Sequence, residues 1–176
     1  PLTFDFEVTR ITDNTEQTFD QTGLSAAPNQ PTTVRYANCS DTPAVPQTVG
    51  VYRPGNNTFY LRNSNTTGIA DLTASLTISG SGSQFLPVVG DWLGTGIDSI
   101  GLYNQTNGQF LLRNTNTPGS ADEQFVLGQA GDQPLAGRWT TALTHDGVGV
   151  FRPSNGLLYL KNTLSTGYGD YTMVLG

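Results

Sequence analysis

Short runs in which apolar and polar residues alternate, each closed by Gly, Asn, Asp or Pro, fill the chain. No window of about 11 residues or more keeps an apolar period of 3.6, so helices are not expected. Phe59, Leu61 and Asn63 alternate with Tyr60 and Arg62, and Phe110, Leu112 and Asn114 alternate with Leu111 and Arg113. A period of two sends successive side chains to opposite faces of a strand. Phe59, Leu61, Phe110, Leu112, Leu158 and Leu160 thus form the expected core face. Arg62, Arg113 and Lys161 fall on the other, where a cation's stem covers a neighbouring strand and its head caps a turn.

These strands belong to a repeat. GVYRPGNNTFYLRNSNTTGIAD from Gly50, GLYNQTNGQFLLRNTNTPGSAD from Gly101 and GVFRPSNGLLYLKNTLSTGYGD from Gly149 align without a gap. A spacing of about 50 residues is that of a supersecondary unit that cannot bury its apolar face alone and must stack on a neighbour. The second copy divides into four strands, Leu86 to Trp92, Ser99 to Asn104, Gln109 to Asn114 and Glu123 to Leu127. Between the second and third strands, Asn107-Gly108 and Asn155-Gly156 supply the positive φ that a tight reversal needs, and Asn56-Asn57 does so in the first copy. Upstream, Pro87 to Trp92 matches Pro134 to Trp139, with Pro31 to Tyr36 as the first-copy equivalent. The units therefore run from about 31 to 80, 81 to 128 and 129 to 176.

Residues 1–30 lie outside the period. Leu2, Phe4, Phe6 and Val8 alternate with Thr3, Asp5, Glu7 and Thr9, as in a half-buried strand, and the amphipathic segment ends at Ile11. Thr12 to Gln30 has the composition of a polar tether. Such a strand buries its apolar face on its own repeats or on another molecule.

Composition narrows the chemistry. Only 12% of residues are charged, against about 25% in ordinary domains, and the surface is expected to be rich in neutral Gly, Asn, Thr and Ser. Eight Lys and Arg against a net charge of -6 exclude a clustered cationic surface for nucleic acid or anionic membranes. No apolar run is long enough to span a bilayer. The single Cys39 has no partner for an internal disulfide and reads as a small packed side chain. The chain starts at Pro1, as a processed form would, which suits a secreted or cell-surface location. One histidine, His145, in a turn, cannot build a histidine metal cluster or a repeated triad, and no enzyme is expected. Asp71, Asp122 and Asp170 recur in register and are expected to cap the turn before each fourth strand. Acceptor sequons stand at Asn38, Asn56, Asn65 and Asn104, mostly at turns where a glycan stays in solvent.

The stretch GDWLGTGIDSIGLYNQTNGQFLLRNTNTPGSAD, Gly90 to Asp122, resembles the bacterial FG-GAP/VCBS-type repeats. The resemblance spans roughly residues 31–176 and implies four-stranded antiparallel blades of a β-propeller type on secreted or surface proteins. It also implies a calcium loop, which needs six to eight oxygens. Here Asp91 and Asp98 remain while Leu93 and Thr95 occupy the intervening acid positions, so the loop is degenerate and no cofactor is expected. Propellers use about four to eight blades, and three units leave two architectures: an open blade array with an N-terminal extension strand, or a closed threefold β-trefoil or β-prism.

The leading functional expectation is a non-enzymatic, secreted, glycosylated structural protein. It self-assembles into a filament by donating the strand Leu2, Phe4, Phe6, Val8, Ile11 to a neighbour. The alternative is a carbohydrate-binding, lectin-like or adhesive module with Tyr52, Trp92, Tyr103 and Trp139 as sugar platforms.

Overall fold

A computed structural model describes residues 8–12, 15–19 and 48–174. Among the described residues the protein is all-β, with one 3-10 turn at Gly82–Gln84. The chain divides into two compact units, Pro1–Pro46 and Gln47–Gly176. In the first, β1 (Val8–Thr12) and β2 (Thr15–Phe19) form an antiparallel pair that closes at Thr12 and Thr15. β2 lies inside the stretch expected to be a polar tether. Thr and Phe favour extended backbone, and Asp13-Asn14 is a turn-forming pair, but a strand with so few apolar residues has the composition of a linker. Leu2, Phe4 and Phe6, Cys39 and the expected strand Pro31 to Tyr36 lie outside the described residues.

The second unit holds three antiparallel sheets in chain order. Blade 1 contains β3 (Gly50–Arg53), β4 (Thr58–Leu61) and β5 (Leu72–Ala74). Blade 2 contains β6 (Phe85–Gly90), β7 (Ser99–Asn104), β8 (Gln109–Leu112) and β9 (Glu123–Val126). Blade 3 contains β10 (Gln133–Gly137), β11 (Gly147–Arg152), β12 (Leu157–Lys161) and β13 (Tyr171–Val174). Each is a simple meander in which consecutive strands pair. The hairpins turn where their residues require: Gly108 and Gly156 have φ of 75° and 71°, and Asn57, at 51°, is the one non-glycine with positive φ among the described residues. Asn tolerates that conformation better than most side chains.

Register carries the repeat into three dimensions. Tyr52 pairs with Phe59 and Phe59 with Ala74; Tyr103, Phe110 and Phe125 repeat this row, and Phe151, Leu158 and Met173 repeat it again. The blades stack face on face. One apolar cluster joins Phe59, Ala74 and Leu76, of blade 1 and the segment that follows it, to Ile100, Leu102 and Leu111 of blade 2. A second joins Tyr103, Phe110, Leu112 and Phe125 of blade 2 to Val148 and Val150 of blade 3. The middle blade is consequently buried on both faces, and all six residues of β7 are buried. β6 and β10, the first strands of blades 2 and 3, run beside one another. Among the described residues no sheet closes on itself, and the buried apolar residues lie in two layers between sheets instead of one shared centre. The arrangement is therefore the open blade stack, without the closed barrel of a trefoil or the common core of a prism.

Candidate functional site at the joints between blades

Each blade carries a loop built around a cation. The Arg62 guanidinium donates to the Ile69 carbonyl (2.5 Å), Thr66 Oγ1 (2.9 Å) and Asp71 Oδ1 (3.0 Å). Arg113 donates to the carbonyls of Thr117 and Ser120, both at 2.7 Å, and Lys161 Nζ to the Tyr168 carbonyl at 3.3 Å. The recurrent aspartate closes the loop base: Asp71, Asp122 and Asp170 accept from the backbone N–H of Asn63, Asn114 and Asn162 at 2.9, 2.8 and 2.7 Å. A glycine gives the cation room. A Cβ on Gly119 would stand 2.7 Å from the Arg113 guanidinium carbon, and one on Gly68 3.1 Å from an Arg62 nitrogen. The recurring cations and aspartates thus shape loops.

Those loops reach the preceding blade. Gly119 N–H donates to the Ser75 carbonyl at 3.0 Å and its own carbonyl accepts from Thr77 N–H at 2.8 Å. One joint further on, Gly167 N–H donates to the Val126 carbonyl at 3.3 Å, and Val126 N–H donates to Thr166 Oγ1 at 3.1 Å. The links between units are fixed as well. Tyr52 Oη donates to the Gly82 carbonyl at 3.5 Å and Tyr103 Oη to the Gln129 carbonyl at 3.3 Å. Asp132, 1% exposed, accepts two bonds from Arg152 at 2.9 and 2.8 Å and one from Gln129 N–H at 3.0 Å. Burial, and then the Asp132 charge, push the Tyr103 phenol well above its ordinary value.

The Gly-Asp-Trp turn is occupied by its own backbone. Asp91, 5% exposed, accepts from Thr95 N–H through Oδ1 (2.8 Å) and from Gly96 N–H through Oδ2 (2.7 Å). Burial raises its pKa, but the N–H groups of Gly96, Thr95 and Gly94 outweigh it and hold the carboxyl below the usual range. Asp98 is raised by burial and by the charges of Asp146 and Asp91. Asp146 belongs to the adjacent unit, and its Oδ2 accepts from Asp91 N–H at 3.0 Å, tying the turn to blade 3. Among the described residues no group of three His, Cys, Asp or Glu side chains is arranged to hold a metal ion. Gly90 and Gly137 are glycine because the Trp92 and Trp139 rings lie where a Cβ would project, at 2.6 and 2.9 Å.

Of the expected sugar platforms, Trp92 (3% exposed) and Tyr103 (0%) are packed inside the core, so they present no face to a sugar. Tyr52 and Trp139 are half-buried, and Trp139 Nε1 donates to the Val148 carbonyl at 3.0 Å. Asn56 and Asn65 lie exposed on loops. Asn104 is 8% exposed and its Oδ1 accepts from Thr106, while Asn38 is outside the described residues. Val8 and Ile11 fall in β1. His145 Nδ1 lies 2.9 Å from the Asp146 carbonyl oxygen, a turn contact. A cleft of about 490 Å³ opens between blades 2 and 3, lined by Leu127, Val150, Arg152, Tyr159 and the exposed Tyr168.

Asp132 and Asp146 were not singled out by sequence reasoning. Asp132 reaches Arg152 across 20 residues of chain and Asp146 reaches Asp91 across 55, and no local pattern marks either. None of the family models, curated proteins and solved structures compared with the chain matches it.

Proposed function

We propose that the chain is a secreted, non-enzymatic structural protein of FG-GAP/VCBS-like blades that assembles with copies of itself into a cell-surface or extracellular filament. The observation that carries this reading is the unequal completion of the blades. Blades 2 and 3 have an inner strand, β6 or β10, paired to β7 or β11, while among the described residues the equivalent edge of β3 ends the sheet of blade 1. An open strand edge is a template for another strand. The N-terminal segment provides one: β1 is paired with β2 on one side, and a lone two-stranded hairpin is marginal in water until it joins a larger sheet. Donation of this segment to a neighbour would be β-strand addition, with Leu2, Phe4, Phe6 and Val8 alternating toward the acceptor and Ile11 on the opposite face. Glycans on Asn56 and Asn65 would lie on exposed loops.

Analytical ultracentrifugation with electron microscopy tests it. The intact chain is expected to form concentration-dependent assemblies and visible fibres, and removal of residues 1–11 to shorten or abolish them. A concentration-independent monomer that ignores the deletion ends the proposal.

The cleft between blades 2 and 3 favours one second reading, a carbohydrate-binding module. Its aromatic lining and the Arg152 guanidinium suit a sugar's apolar face and hydroxyls. Saturable glycan binding lost in Tyr168→Ala would support this reading, and an unresponsive glycan array would remove it.

A further inference from the structure

The two internal joints are copies of one another, and each end of the stack carries an unused half. A blade presents an aromatic row to the blade that follows it: Phe59 in blade 1 and Phe110 in blade 2, 2% and 0% exposed. It presents a branched aliphatic row to the blade before it. In blade 3 that row is Val148 and Val150, both 0% exposed. The same positions of the first copy are Val49 and Val51, identical residues, and each is 59% exposed. Tyr60 stands beside Val51 as Tyr159 stands beside Val150. Arg53 lies 4.6 Å over the Tyr60 ring as Arg152 lies 4.5 Å over Tyr159. Blade 1 thus exposes a replica of the surface that blade 3 buries on blade 2.

The opposite end matches. Blade 3 ends in the row Phe151, Leu158, Met173, in the register of Tyr103, Phe110, Phe125, and Met173 is 40% exposed where Phe125 is 5%. The hydrogen-bond halves are there too. In both joints a loop glycine three residues before the recurrent aspartate, Gly119 or Gly167, donates to the residue just after the paired Ala74 or Phe125, namely Ser75 or Val126. The corresponding glycine of the first loop is Gly68, and the corresponding carbonyl of the last strand is that of Val174.

We infer that blade 3 of one molecule docks on blade 1 of a second copy, repeating the internal joint head to tail, with Gly68 N–H donating to the Val174 carbonyl of the other molecule. The chain itself points to the occupant of each face, because the Val49, Val51, Tyr60 row matches the row that an apolar face covers at Val148 and Val150, and blade 3 offers Phe151, Leu158 and Met173 in the register of that covering face. The inference rests on the self-assembly reading and adds to it a second contact, separate from the N-terminal strand. A heterologous contact of this kind extends into a filament or closes into a ring according to the rotation per joint.

A complementation experiment on the full-length chain decides it. Val51→Glu and Met173→Glu each place a charge in one half of the joint at a position exposed in the single molecule, so both variants are expected to keep the wild-type circular dichroism spectrum. Each alone is expected to lose association by about 100-fold or more, since an unpaired charge would have to be buried. Mixed in equal amounts, they retain one intact joint between them and are expected to recover an association with each other that neither shows alone. Fibres, or one discrete ring, that wild type forms and both single variants fail to form uphold the joint; the ring would remove the filament reading and leave the joint standing. If both variants assemble like wild type while removal of residues 1–11 dissolves the assemblies, the strand alone joins the copies and the joint is wrong. A wild-type chain that stays monomeric at every concentration refutes both.

Discussion

Val150 and Val51 occupy one position of the repeat in two environments, so truncating each to alanine measures what a neighbouring blade contributes. Val150 is 0% exposed between blades 2 and 3, and Val51 is 59% exposed on blade 1. Removing two buried methylene equivalents at about 0.8 kcal/mol each, with a small cavity term, puts Val150→Ala near 2 kcal/mol. Val51 has lost less than half of its accessible surface, and the same change there costs about 0.5 kcal/mol in the isolated molecule. Urea unfolding at high dilution, followed by the fluorescence of the two tryptophans, Trp92 and Trp139, reads both values. The roughly 1.5 kcal/mol withheld at Val51 is expected to return as a weaker association constant, by about tenfold, when the protein is concentrated. Equal costs at high dilution would mean that Val51 is already covered within one molecule, and the head-to-tail joint would lose its basis.

Four further expectations follow from the joints and turns. Gly119→Ala places a methyl group against the Arg113 guanidinium and should cost about 1–3 kcal/mol, whereas Gly167→Ala, 3.4 Å from Lys161 Nζ, should cost less; paired melting curves compare them. Asp132→Ala leaves Arg152, which also lines the cleft, without its two-bond partner and should cost about 2 kcal/mol by chemical denaturation. Because the Tyr103 pKa is raised by burial and by Asp132, the unfolded chain gives up that proton first as pH rises. Stability is then complete below about pH 10 and falls as pH climbs toward the folded-state value, and Tyr103→Phe should flatten that decline. Since both Asp91 oxygens accept backbone N–H groups, millimolar calcium or a chelator should move Tm by less than about 1 °C, and a rise of several degrees would place a metal at Asp91 and Asp98.

Much of the blade could be read along the chain because its determinants are local. The Asn-Gly reversals, the alternation through Phe59-Tyr60-Leu61 and the recurrent cation and aspartate act within a few residues of one another, and each adopts the expected role. The boundaries drifted by a few residues where the Gly-Asp-Trp turn was counted into the strand before it: β6 ends at Gly90, since the Trp92 ring folds back over that glycine. β2 lies in a stretch expected to be a tether because a polar strand with few apolar residues has no pattern of its own. The platform tyrosine and tryptophan could not be told from core, since an aromatic residue has the same letter on either side of a sheet until the next blade is in place.

The order of strands, their turns and the existence of three like units were therefore written in the sequence, because hydrogen-bonded hairpins and period-two alternation are short-range properties of a chain. Which faces are dry was decided only by tertiary structure. Leu111 and Tyr60 hold the same position in their units, yet Leu111 is 7% exposed under blade 1 and Tyr60 is only half-buried. Burial is a property of two surfaces meeting, and neither surface alone records the other.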